Sequence, residues 1–264
     1  MPAQPLNANL FAALSKGFPA DLQSVAVETD SGLHYAWQDL LDASAMLANL
    51  LESLGLPAGS RIAVQVEKSV EALTLYLATL RAGLVYLPLN TAYQSAEMAY
   101  FIEDAQPAVV VCSGSNFGWI SKLAFTAGTA YVFTLNEDRS GSLLERAAAF
   151  GRSHIVAQRA PDDLAAIIYT SGTTGRSKGA MLSHGNLLSN ARVLQKVWGW
   201  RSAEQGGDVL VHALPIFHVH GLFVAIHGAL LNGSKMIWLS RFDPKTALRC
   251  FARATVFMGV PTLY

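Results

Sequence analysis

Seven short, continuous apolar runs separated by helix-patterned stretches most constrain what this chain can fold into. "RIAVQV" (61–66), "VYLPLN" (85–90), "AVVVC" (108–112), "LAAIIYT" (164–170), "DVLVHAL" (208–214), "KMIWL" (235–239) and "TVFMGV" (255–260) do not alternate between apolar and polar. Strands built from them must be covered on both faces, as in a parallel sheet flanked by helices. The intervening stretches supply those helices. Leu40, Ala43, Leu47, Leu50, Leu51 and Leu54 recur at helical spacing before Gly55, Pro57 and Gly59. Ser69 offers an N-cap to "VEALTLYLATLR", which stops at Gly83, and a short helix is expected from about Ser95. "GLFVAIHGALL" reads as a helix, and Asp243 with Pro244 marks the start of another. The expected fold is α/β, with mostly parallel sheets covered by helices. Residues 1–135 are expected to form a first β/α unit, 136–163 a surface connection with one short helix, and 164–264 a glycine-rich loop and a second β/α unit.

Several function classes drop out early. Among 264 residues, 52% are hydrophobic and 14% charged, with a formal net charge of zero, so no basic footprint for nucleic acid is present. Cys112 and Cys250 stand far apart in apolar contexts and read as buried thiols. The N-terminus lacks the basic and apolar regions of a secretory signal, so a cytoplasmic protein is expected. Residues 209–234 carry no Lys, Arg, Asp or Glu over a membrane-spanning length. His212, Pro215, His218, His220, His227 and Asn232 would be expensive in hydrocarbon, so a buried segment is expected there and no integral membrane segment.

The chemistry concentrates in "YTSGTTGRSKGA", residues 169–180. Gly172, Gly175 and Gly179 allow close backbone approach, so that amide N–H groups can line an anion. Thr170, Ser171, Thr173, Thr174 and Ser177 add hydroxyl donors, while Arg176 and Lys178 add positive charge. These are the parts of a polyphosphate cradle; an ordinary surface turn seldom concentrates so many donors around a lysine. The spacing is not that of a Walker P-loop, because two residues separate Gly175 from Lys178 and Gly179 follows. "GAMLSH" suits a strand returning along the first, with a helix beginning only near His184 to Asn186. The loop is therefore expected at the tip of a hairpin rather than on a helix N-terminus.

The same segment resembles the phosphate-binding signature of adenylate-forming enzymes, the superfamily of acyl-CoA synthetases, peptide-synthetase adenylation domains and beetle luciferases. "LPIFHVHGLF" resembles that family's acyl-pocket segment, and "LRAGLVYLPLNTAY" its early core motif. Together with "EKSVEALTLYLATLRAG" and "MGVPTLY" they are most similar to malonyl-CoA synthetases, over nearly the whole chain. Ser177 stands where the superfamily more often has proline. The resemblance implies the N-terminal portion of an adenylation domain. It implies attack of a small carboxylic acid, malonate here, on Mg²⁺-ATP to give an acyl-adenylate and pyrophosphate, and then thioester formation with CoA. Residues 170–175 and Lys178 would hold the ATP phosphates, and Thr170 would also contact Mg²⁺.

By the same resemblance His218 lies where the acid meets ATP and could orient its carboxylate. His212 and His220 are weaker candidates, and without a nearby carboxylate or thiolate the three histidines make a poor zinc site. Malonate leaves a second carboxylate to be held, and Arg241, after "KMIWL", sits at the end of a parallel strand where ligands gather. The bland alternative for Arg241 is an ion pair with a surface carboxylate. Family segments for adenine, the Mg²⁺ glutamate and the C-terminal lid lie downstream of a motif like "GVPTLY". The chain is therefore expected to be a first half, inactive alone. A non-catalytic ATP-binding or interaction module, and a peptide-synthetase adenylation domain, remain open as alternatives.

Overall fold

Among the residues that the computed structural model describes, 7–170 and 176–263, the strands sort into two sheets, and the sorting does not follow chain order. Helix α1 (Leu10–Leu14) starts at Asn9, whose side chain accepts the Phe11 N–H. Strands β1 (Val25–Thr29) and β2 (His34–Ala36) form an antiparallel pair. Helices and strands then alternate: α2 (Trp37–Ser53), β3 (Arg61–Gln65), α3 (Val70–Arg81), β4 (Val85–Pro88), α4 (Ser95–Ala105), β5 (Val109–Cys112), α5 (Phe117–Thr126), β6 (Tyr131–Thr134) and α6 (Ser142–Ala147). Ser69 caps α3 by accepting the Ala72 N–H at 3.0 Å, and Gly83 turns the chain afterwards at φ +69°.

A hairpin of β7 (Leu164–Thr170) and β8 (Lys178–Ser183) leads into α7 (His184–Trp198) and β9 (Val209–His212). A π-helical turn (His220–Ile226) and α8 (His227–Leu231) follow, then β10 (Lys235–Trp238), α9 (Pro244–Phe251) and β11 (Val256–Phe257). Asp243 caps α9 with Pro244 at its first position, as the sequence indicates. The helix expected over "GLFVAIHGALL" is present but opens as a wider π-turn. The preceding loop presses on its start, for a Cβ on Gly221 would lie 2.1 Å from the Pro215 carbonyl oxygen.

The first sheet runs β6-β5-β3-β4-β7-β8, parallel except for β8, and the second runs β11-β9-β10-β1-β2, parallel except for β2. Sheet membership thus crosses the expected division of the chain. The β7–β8 hairpin, grouped by sequence with residues 164–264, joins the first sheet through Tyr86 and Ala166. Strand β1, within residues 1–135, joins the second through Val27 and Met236. Only Ala26 and Val27 of β1 are buried, so that strand has no continuous apolar run to announce it.

Helix α3 lies between the sheets with every residue but Glu71 buried, in keeping with apolar side chains on all of its faces. Tyr76 spans that layer. Its ring meets Tyr86 of β4 edge-on at 5.0 Å, and its hydroxyl shares a 2.7 Å hydrogen bond with His227 Nε2 at the start of α8. Helices α4 and α5 cover the outer face of the first sheet around Leu87, Val110 and Ile120. Helix α9 covers Val211 and Ile237 of the second. Cys112 and Cys250 are buried free thiols. Among the described residues no helix is long and apolar enough to cross a membrane.

Candidate active site

Strands β7 and β8 are the stems of the glycine-rich loop. Thr170 pairs with Lys178, Tyr169 with Gly179 and Ile168 with Ala180, so the returning strand expected from "GAMLSH" is present and α7 begins only at His184. Thr170 and Lys178 are exposed where the stems open. Ser171, Gly172, Thr173, Thr174 and Gly175, the core of the expected cradle, lie outside the described residues. Gly179 has an ordinary φ but little room: a Cβ there would lie 3.0 Å from Ile167 Cγ2 and 3.4 Å from Tyr169 Cζ.

Two groups of residues that the sequence did not point to hold this region. From α4, the Tyr100 hydroxyl donates to the Ser177 carbonyl at 2.7 Å, and Asp104 accepts from the Tyr169 hydroxyl. Burial and the Asp104 contact together raise the Tyr169 pKa, which keeps that hydroxyl a donor. The second is Lys68, in the loop after β3, whose Nζ donates to the carbonyls of His212 at 2.8 Å and Leu239 at 2.6 Å, 4.6 Å from the centre of the Trp238 ring. Burial pushes the Lys68 pKa well below the usual lysine range, with Asp30 opposing.

Those bonds bring the carboxyl ends of the two sheets together. Strands β3 and β7 both flank β4, so their ends lie about 10 Å apart at ordinary strand spacing. Lys68 continues that rim to the ends of β9 and β10, from which the loops carrying His218 and Arg241 depart. The hairpin and both loops therefore share the rim where parallel α/β sheets take ligands.

His218 is exposed on its loop, with its ring 4.6 Å from that of Phe217 and its carbonyl accepting the Leu222 N–H at 3.0 Å. Partial desolvation lowers its pKa, favouring the neutral imidazole. His212 is a core residue. It stacks on Trp238 at 4.8 Å, its Nε2–H donates to the Gly221 carbonyl at 3.0 Å, and burial drives its pKa well below the ordinary value. His220 lines a cavity of about 410 Å³ with Trp198, Trp200, Phe257 and Met258. Arg241 is exposed and makes no ion pair among the described residues, so the surface partner weighed for it from sequence is absent there. Among those residues no three His, Cys, Asp or Glu gather as metal ligands. Exposed Thr170 at the loop mouth offers one hydroxyl oxygen, a hard donor of the kind that a Mg²⁺ would accept.

A family model described as AMP-binding enzyme matches residues 16–264. The chain belongs to the AMP-binding enzyme family. Among its relatives, malonate–CoA ligase of Arabidopsis thaliana is 30% identical over 81% of this chain and 36% of its own length. Long-chain-fatty-acid–CoA ligase of Bacillus subtilis is 27% identical over 88% of this chain and 47% of its own. The crystal structure of ATP-bound MatB from Rhodopseudomonas palustris superposes with a TM-score of 0.92 at 51% identity, covering 98% of this chain and 50% of that one. The chain thus spans about half the length, or less, of the relatives it matches. Its two sheets are the mixed α/β architecture of the N-terminal domain of this AMP-binding family.

Proposed function

We propose that this AMP-binding chain supplies the phosphate-holding and acid-orienting part of an enzyme that activates malonate to malonyl-CoA. The observation that carries the reading is the hairpin, which presents Thr170 and Lys178 together on the rim shared with the His218 and Arg241 loops. Similarity to malonate–CoA ligases supports the choice of acid.

In the proposed reaction a malonate carboxylate oxygen attacks the α-phosphorus of ATP, and the bond to the bridging oxygen of pyrophosphate breaks. Lys178 meets the charge that accumulates on the leaving pyrophosphate, assisted by the donors of residues 171–175. The Thr170 hydroxyl would help to hold a Mg²⁺, which would neutralise phosphate charge. Neutral His218 donates a hydrogen bond that aims the attacking carboxylate, and Arg241 holds the other one with its planar guanidinium. CoA sulfur then attacks the acyl carbonyl and AMP departs. No side-chain nucleophile is needed. Residues 1–264 form one incomplete N-terminal adenylation domain in this reading, in a cytoplasmic enzyme. Expressed by themselves they are proposed not to complete thioester formation.

The test is ATP–pyrophosphate exchange by the protein expressed from its native gene. Exchange that depends on malonate and exceeds that with propionate or octanoate is expected. Exchange driven only by a long-chain or amino acid would contradict the malonate assignment, and no exchange with any carboxylic acid would contradict adenylation itself.

A further inference from the structure

Helix α4 touches the stems of the phosphate hairpin at two points, one on each side of the loop. Tyr100 and Asp104 are four residues apart on α4 and so occupy one helical face. Asp104 takes the hydroxyl of Tyr169, the residue before Thr170 on the outgoing stem. Tyr100 donates to the carbonyl of Ser177, the residue before Lys178 on the returning stem, at 2.7 Å. The Tyr100 ring also lies 5.6 Å from the Arg176 guanidinium, and Phe101 packs on Tyr169 with ring centres 4.4 Å apart. The helix is itself fixed. Arg61 of β3 donates to the carbonyls of Ala105 and Gln106 at 2.7 and 2.9 Å, so the C-terminal end of α4 is tied to the middle of the first sheet.

A loop that must meet developing charge works best when its donors are already in place, since any reordering is then subtracted from the stabilisation. Strand β8 is a sheet edge with one neighbour, so within the sheet the returning stem is held by pairing to β7 alone. Bonds from a helix to both stems, immediately before Thr170 and immediately before Lys178, add a second support beside the two residues that matter. We propose that Tyr100 and Asp104 are positioning residues that set the phosphate hairpin for adenylate formation, acting through Ser177 and Tyr169. The inference rests on the proposed phosphate role of the hairpin.

Two readouts test it. In the 264-residue chain, trypsin cuts after Arg176 and Lys178 report hairpin opening, with cleavage after the exposed Arg152 as the internal reference. Tyr100→Phe keeps the ring and removes only the hydroxyl. It is expected to speed the Arg176 and Lys178 cuts about five- to tenfold relative to Arg152, with an unchanged melting temperature. In the protein expressed from its native gene, Tyr100→Phe and Asp104→Ala are expected to lower the exchange rate and raise KM for ATP severalfold while leaving KM for malonate unchanged. Asp104→Asn, which keeps an acceptor for Tyr169, should recover most of the loss.

Wild-type exchange with both variants indistinguishable from it overturns the positioning role and leaves the proposed function standing. Faster cleavage at all sites with a lowered melting temperature, or equal effects on both KM values, shows a purely structural role and also overturns it. A wild-type protein that exchanges no pyrophosphate overturns the proposed function and this inference together.

Discussion

Lys68 places its ammonium 2.6 Å from the carbonyl oxygen of Leu239, joining the loop after β3 in one sheet to the end of β10 in the other. A second bond, to the His212 carbonyl at 2.8 Å, holds the neighbouring strand end in the same way. Replacing the ammonium by methyl leaves both carbonyls without that donor. Lys68→Met is therefore expected to lower stability by about 1 to 3 kcal/mol, chiefly the cost of stranding the Leu239 carbonyl, since the His212 carbonyl keeps the Leu239 N–H at 3.1 Å. Urea unfolding of the 264-residue chain checks this, and a loss below 0.5 kcal/mol would show the bonds to be replaceable by water.

Acid should weaken the fold through its core histidines, His212 and the two that follow among them. His184 accepts the Leu10 N–H on Nδ1 at 3.0 Å, and burial, with Arg159 adding to it and Asp163 opposing, lowers its pKa to about 4. His227 shares its bond with Tyr76, and burial lowers its pKa to about 3. Both values lie below the ordinary 6.5, so the unfolded chain takes up these protons first. Their contribution to stability is full above pH 6.5 and declines below it, levelling near pH 4 for His184 and near pH 3 for His227. Each histidine contributes a slope of up to about 1.4 kcal/mol per pH unit inside its window. Unfolding free energies measured between pH 7 and pH 4.5 should show the decline, and His184→Asn, which removes one titration, should make it shallower without abolishing it. A pH-independent stability over that range would contradict the assignment.

Arg241 should distinguish a dicarboxylate from a monocarboxylate. If its guanidinium holds the second carboxylate of malonate, Arg241→Leu should weaken malonate use relative to propionate by roughly 1 to 3 kcal/mol in kcat/KM, the size of a charge-assisted bond. Equal losses for both acids would return Arg241 to a surface role.

What could be read from the sequence follows from how locally each feature is determined. Strands β3, β4, β5, β9 and β10 are continuous apolar runs because neighbours cover both faces, and the caps of Ser69 and Asp243 act within three residues. The hairpin was legible because its glycines, hydroxyls and lysine lie within one dozen residues. Strands β1 and β2 were missed because the sheet they join comes from the far end of the chain. Lys68 was invisible for the same reason: its acceptors lie 144 and 171 residues away, and nothing beside it in "VEKSV" marks it as buried. Tyr100 and Asp104 look like ordinary outward residues of a short helix until the hairpin packs on them.

Lys178 is where the account meets its most direct test. It stands opposite Thr170 at the mouth of the hairpin and is exposed, so its removal should leave the fold intact. In the protein expressed from its native gene, Lys178→Ala is expected to slow malonate-dependent ATP–pyrophosphate exchange roughly thirty- to a thousandfold, on the order of 2 to 4 kcal/mol, with an unchanged melting temperature. Exchange at the wild-type rate in that variant would mean that the hairpin lysine does not meet the phosphates, and would contradict the proposed function at its centre.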